Sequence, residues 1–234
     1  MQMSGLNNNK QPGNGSEVRV LIVDDHPLVR LSLREVIKRE PDLVICGEAE
    51  DREPALALVA STRPHLAIID LTLKSSNGMD LIKDLRDRYP KVQILVLSMH
   101  DETLHAERAI RAGARGYITK QEATKKIMVA IRQVLQGDIY WSETAAARVA
   151  SKVARATRPA STSSVDMLAD RELQVFELIG AGQSTRQIAA ALHIDVSTVE
   201  TYRARIKDKL NLKDSLALLQ FAIRWNISNA HGSE

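Results

Sequence analysis

From Val18 onward, short apolar runs alternate with longer stretches in which apolar residues recur every three or four positions. The runs are VRVLIVD, VICGEA, HLAIID, QILVLS and GYIT; the stretches are PLVRLSLREVIKRE, EPALALVAS, MDLIKDLRDRY, ETLHAERAIRAG and ATKKIMVAIRQVLQ. Short runs rich in Val, Ile and Leu predict buried strands, and the longer spacing predicts amphipathic helices. The runs are apolar throughout rather than alternating, so both faces of the sheet need cover. That predicts an α/β doubly wound fold over residues 17–137, with a five-stranded parallel sheet and right-handed helical crossovers.

The pattern changes after Gly137. SETAAARVASKVARA is alanine-rich and predicts a helix, and TRPASTSSVD has the composition of a linker, so residues 138–164 read as a helical linker. From Met167 only helical patterns follow: DRELQVFELIGAG, STRQIAAALHI, DVSTVETYRARIKDKLN and DSLALLQFAIRWNI. They predict an all-α domain of four helices over 165–230, the middle pair forming a helix-turn-helix. Ser197 with Glu200 three positions on reads as a capping box starting the second helix of that pair. Ile188, Ala189, Leu192, Val199, Ile206 and Leu210 form its apolar seam. On the last helix Leu216, Leu219, Phe221 and Trp225 serve either the core or a dimer surface.

The opening MQMSGLNNNKQPGNGSE is polar and Gly-rich, so residues 1–16 read as a disordered tail without the apolar core of a secretory signal. No apolar run approaches the ~18 residues that cross a bilayer. Cys46 is the single cysteine, which excludes an internal disulfide and a CxxC pair and fits a reducing cytoplasm. The net charge of +3 is spread thinly: residues 17–141 hold 19 basic and 19 acidic residues, and 166–234 hold 8 and 9. Any nucleic-acid reading must therefore rest on local clustering.

In a parallel sheet ligands gather at the carboxyl ends of the strands. Those ends carry Asp24 and Asp25, then Glu48 or Ala49, then Asp70, then Ser98, then Thr119 and Lys120. Clustered carboxylates need a cation, oxygen donors suit a hard divalent ion such as magnesium, and a carboxylate can act as nucleophile toward a phosphoryl group. These residues resemble the receiver domain of two-component response regulators: the acidic pair in LIVDDHPLVR, Asp70 in IIDLTLKSSNG with Gly78 eight positions on, Ser98 in LVLSMHD, and Tyr117 with Lys120 in GARGYITK. The resemblance implies that Asp70 is the phosphoacceptor. It also implies that Asp24, Asp25, Asp70 and the Thr72 backbone carbonyl hold Mg2+, that Lys120 binds the phosphoryl group, and that Ser98 and Tyr117 are the switch pair. Two positions depart from the family pattern: Lys74 stands where a proline usually stiffens the loop, and Met99 stands where a small residue gives the phosphoryl donor access.

Between Ser197 and Lys213, five cations (Arg203, Arg205, Lys207, Lys209, Lys213) face two carboxylates (Glu200, Asp208), a local excess in a domain that is otherwise slightly acidic. The stretch LADRELQVFELIGAGQSTRQIAAALHIDVSTVETYRARIKDKLNL resembles the LuxR-type DNA-binding domain, and the whole chain resembles the NarL/FixJ class of response regulators. By that resemblance Glu200, Thr201 and Ala204 face the major groove, with Arg203 a further base contact. Thr185, Thr198, Tyr202, Arg205 and Lys209 are phosphate contacts. The implied protein is a cytoplasmic transcription regulator, not an enzyme beyond its own phosphoryl transfer and dephosphorylation. Its implied partners are a sensor histidine kinase, double-stranded promoter DNA, a second copy of itself when phosphorylated, and RNA polymerase.

Overall fold

The computed structural model describes residues 17–99, 102–141 and 164–230. The predicted tail and the whole of the predicted linker helix SETAAARVASKVARA lie outside those residues. Strands β1 (Val18–Val23), β2 (Leu43–Ala49), β3 (Leu66–Ile69), β4 (Gln93–Ser98) and β5 (Gly116–Thr119) form one sheet in the order β2-β1-β3-β4-β5, every neighbouring pair parallel. Helices α1 (Pro27–Ile37), α2 (Arg52–Thr62), α3 (Gly78–Arg88), α4 (Glu102–Ala112) and α5 (Lys120–Leu135) form the layers on its two faces. Side chains of one strand alternate between faces, and the two cores follow that parity. Leu21, Val23, Ala67, Ile69 and Val96 pack with α2, α3 and α4, whereas Val20, Ile22, Leu66, Ile68, Leu95 and Leu97 pack with α1 and α5.

The β1–β2 register skips Cys46, whose half-buried thiol rests 3.4 Å from the Val20 carbonyl and packs against the core as a small side chain. The chain stays on this domain beyond α5. Tyr140 is buried, its N–H donates to the Arg115 carbonyl at 2.9 Å, and its carbonyl accepts from the Tyr117 N–H at 3.3 Å.

The second domain comprises a 3-10 turn (Ser164–Met167) and four helices: α6 (Asp170–Gly180), α7 (Thr185–Ala191), α8 (Val196–Leu210) and α9 (Ser215–Ala230). Its core contains the predicted seam, with Leu210 at the margin, and Phe176 packs tilted against Phe221 and edge-on to Trp225, with ring centroids 5.9 and 5.5 Å away. Leu219, Phe221 and Trp225 thus serve the core, while Leu216, Ile223 and Ile227 form the exposed side of α9.

The capping box predicted at Ser197 is not formed. Helix α8 starts at Val196 with Asp195 as its N-cap, and the Asp195 carbonyl already accepts from Thr198 and Val199 at 3.0 and 3.1 Å. The extended Asp195 backbone begins the helix before Ser197 is reached. Glu200 instead accepts from the Thr185 hydroxyl on α7 at 2.9 Å. A reciprocal box does cap α7, where Ser184 and Gln187 bond each other's backbone.

The second domain docks on the α3–α4 face of the first and on its strand-end loops. Lys83 Nζ reaches Asp170 at 3.0 Å, Arg108 donates to the Leu168 carbonyl at 2.7 Å, and the buried His105 meets Glu177 at 2.8 Å. Arg171 donates to the Ser76 carbonyl at 3.1 Å, and His193 Nε2 lies 3.1 Å from Asp25 Oδ2.

Candidate functional site

The carboxyl ends of β1, β3 and β5 bring Asp24, Asp25, Asp70 and Lys120 together. Backbone pairing runs past the strand ends, with the Asp24 N–H on the Ala49 carbonyl at 3.0 Å and the Asp70 N–H on the Val23 carbonyl at 2.8 Å, so both aspartates are held where the sheet stops. Thr119 caps α5, accepting from the Glu122 N–H, and this sets Lys120 at the first helical position. Its ammonium lies 2.7 Å from Asp70 Oδ2 and 2.8 Å from Asp24 Oδ2. Glu48, the alternative at the end of β2, is held away by Arg34 and Arg30 at 2.5 and 3.5 Å.

Burial raises the Asp70 pKa to about 6; the Lys120 charge pulls it down and Asp24 pushes it up. Lys120 itself is shifted up, since its two carboxylate neighbours outweigh its own burial.

Carboxylate oxygens of Asp24, Asp25 and Asp70 and a ring nitrogen of His26 lie within 4.8 Å of one another. Asp24 Oδ2 and Asp25 Oδ1 are buried and receive no hydrogen bond, although Lys120 Nζ and His26 Nδ1 stand 2.8 and 2.7 Å away. Three carboxylates gathered around one ammonium leave net negative charge in a buried site, which fits a bound divalent cation. The acidic cluster can therefore hold a metal, and Thr72, whose N–H donates to Asp70 Oδ1 at 3.3 Å, stands beside it.

The loop after Asp70 is tied down rather than loose. Both Ser75 and Ser76 hydroxyls donate to the Asp51 carboxylate, the N-cap of α2, and Lys74 pairs with Glu50 at 3.2 Å. Hydroxyl donors to one fixed carboxylate do here what a proline would do through its backbone. Gly78 completes the turn, its N–H donating to the Leu71 carbonyl at 3.0 Å.

Ser98 is fully buried at the end of β4, and the Tyr117 ring is fully enclosed with the α4 alanines Ala106 and Ala109, so the ring already occupies the inner position. Met99 is 67% exposed just beyond Ser98. Met99→Ala is expected to speed phosphorylation by a small donor such as acetyl phosphate, followed by phosphate-sensitive electrophoresis; an unchanged rate would dismiss Met99 as an obstruction.

On α8, Glu200, Thr201, Ala204 and Arg205 are exposed, Thr198 and Tyr202 half-buried. Thr185, at the start of α7, is held by Glu200. Arg203 turns inward, its side chain 17% exposed, while Lys209 stays exposed but its Nζ sits 2.6 Å from the buried Glu172, which also accepts from the Ala169 N–H at 2.8 Å. That pair seats α8 on α6. Three residues carry no signal in the sequence for their place at the site: Asp51, His193 and Arg171, each acting across loops or domains distant in the chain.

Residues 20–132 match the response regulator receiver domain family, and residues 166–222 match the luxR family of bacterial regulatory proteins. The chain is 32% identical over 215 residues to the uncharacterized transcriptional regulatory protein YxjL of Bacillus subtilis, covering 92% of this chain and 99% of that protein. It is 30% identical to the response regulator GacA of Pseudomonas protegens, covering 91% and 99%. A solved LuxR-family two-component response regulator from Aurantimonas sp. superposes with a TM-score of 0.56 at 33% identity, covering 59% of this chain and 99% of that one. RcsB of Salmonella enterica serovar Typhimurium, solved bound to promoter rprA in the presence of phosphomimetic BeF3-, superposes with a TM-score of 0.58 at 23% identity over 88% and 98%, a likeness of fold. A receiver fold with an acidic strand-end pocket, followed by an exposed helix-turn-helix, places this chain among the DNA-binding response regulators of the NarL/FixJ class.

Proposed function

We propose that Asp70 accepts a phosphoryl group from a partner sensor histidine kinase and that this controls dimerisation and promoter binding. The observation that carries the reading is the Lys120 ammonium held between Asp70 and Asp24 at the sheet edge, with the Asp25 carboxylate clustered beside them. An Asp70 oxygen attacks phosphorus, the P–N bond to the donor imidazole breaks, and the imidazole leaves with the bonding pair. Lys120 and Ser98 bind phosphoryl oxygens, and water later hydrolyses the acyl phosphate, returning the carboxylate. Mg2+, held by Asp24, Asp25, Asp70 and the Thr72 carbonyl, supplies charge neutralisation on the transferring group when bound. The receiver's chemistry is confined to this cycle, and the protein acts in the cytoplasm.

The docked second domain leaves the groove-facing residues Glu200, Thr201 and Ala204 exposed, together with the phosphate contact Arg205. Docking therefore restrains the domain without covering its recognition helix, and inhibition acts through the placement of two copies on two half-sites. A single copy neutralises few phosphates and binds weakly. Footprinting of the wild type and Asp70→Asn, with and without phosphodonor, tests the switch. Phosphodonor-dependent occupancy by the wild type alone is expected, and equal occupancy throughout would refute it.

Glu200, held by Thr185, is an acceptor suited to cytosine N4. Glu200→Ala is expected to relax preference at one base pair of each half-site by about 1–3 kcal/mol, read by selection from random duplexes.

A further inference from the structure

We propose that His193 makes the DNA-binding domain a competitor of the divalent cation, so that domain docking and metal binding oppose each other before any phosphorylation. The inference rests on the reading of Asp24, Asp25 and Asp70 as the metal pocket, and it adds a residue from the other domain to that pocket. The Asp25 side chain is 8% exposed and has an imidazole against each oxygen: His26 Nδ1 is 2.7 Å from Oδ1, and His193 Nε2 is 3.1 Å from Oδ2. An inner-sphere magnesium ion and its waters need those same oxygens and the space over them.

His193 is placed there by the second domain's own construction. It stands in the four-residue turn between α7 and α8 with a left-handed backbone, φ 51°, an uncommon conformation for a residue with a side chain. The turn is closed by the His193 and Ile194 N–H groups on the Ala190 and Ala189 carbonyls, at 3.3 and 3.0 Å. Arg171 fastens the same turn to the phosphoacceptor loop, donating to the Leu192 carbonyl at 3.4 Å and the Ser76 carbonyl at 3.1 Å. Other contacts between the domains are remote from the pocket: Lys83 and Arg108 hold Asp170, Arg108 also holds the carbonyls of the 3-10 turn, and His105 meets Glu177. If the docked domain weakens cation binding, the cation must weaken docking by the same factor.

The test is calorimetric titration of the full-length chain with Mg2+, without phosphodonor, alongside small-angle scattering. His193→Ala is expected to tighten Mg2+ about fivefold, the lower end of ordinary coupling between sites. Arg108→Ala is expected to tighten it in the same direction without touching the pocket. The radius of gyration of the wild type should rise on adding Mg2+. Unchanged affinity in both variants overturns the proposal and leaves the pocket standing. Tightening in His193→Ala alone also overturns it, because the effect would then be local to the carboxylate rather than due to docking. Absence of Mg2+ binding by the wild type overturns the pocket reading and the proposal with it.

Discussion

Asp70→Asn is expected to abolish phosphorylation and, in the metal-free protein at neutral pH, to raise stability. The loss of reaction follows from the loss of the anionic oxygen that attacks phosphorus. The gain in stability follows from burial: the Asp70 carboxyl is 3% exposed, and its pKa rises from 3.8 to about 6 on folding. A carboxyl that is less acidic folded than unfolded binds more protons in the folded state between those values. Stability therefore falls as pH climbs from about 4 through about 6 and stays lower above, by about 3 kcal/mol at most. Asparagine removes that cost but deprives Lys120 of one partner, leaving Asp24 at 2.8 Å. The net gain should be about 1–2 kcal/mol at pH 7.5. It should shrink at pH 5, where the wild-type carboxyl is mostly protonated. Urea denaturation with chelator at both pH values reads the difference, and a variant less stable than wild type at pH 7.5 would contradict it. Added Mg2+ should reduce the advantage by supplying the missing cation.

Gly78→Ala is expected to have the other large effect, through space rather than dihedral preference. A Cβ at position 78 would stand 2.0 Å from the Asp70 carbonyl oxygen and 2.9 Å from both the Asp70 carbonyl carbon and Leu71 Cα. All three are backbone atoms at the end of a buried strand, so the clash is relieved only by moving Asp70. A cost of about 3 kcal/mol or more is expected, at the upper end for overpacking, with phosphorylation impaired in whatever folds. Gly137→Ala is the control. Gly137 has φ +89°, but a Cβ there would meet nothing within 4 Å, so only the backbone strain of about 1 kcal/mol applies and phosphorylation should be unaffected.

Much of this was legible along the chain. The apolar runs mark the strands because a strand covered on both faces must be apolar throughout, and the residue where each run stops is then at the sheet edge. Asp24, Asp25, Asp70, Ser98 and Lys120 could be assembled from that one fact. Short-range polar chemistry was less readable. Ser197 and Glu200 have capping-box spacing, yet Asp195 starts the helix and Glu200 bonds Thr185 on another helix. Cations on α8 counted equally in sequence, but Lys209 is tied to Glu172 on α6 and Arg203 is half-buried, while Arg205 remains exposed.

By itself the sequence determined the two fold classes, which residues stand at the strand ends and the place of the helix-turn-helix, because periodicity and strand-end position are local properties. Only the tertiary structure decided what stiffens the loop after Asp70, which face of α9 is exposed, and that the second domain rests on Asp25 through His193 and on that loop through Arg171. Those depend on pairs such as Asp51 with Ser76 and Asp25 with His193, which are far apart in the chain and meet only when the layers and domains pack.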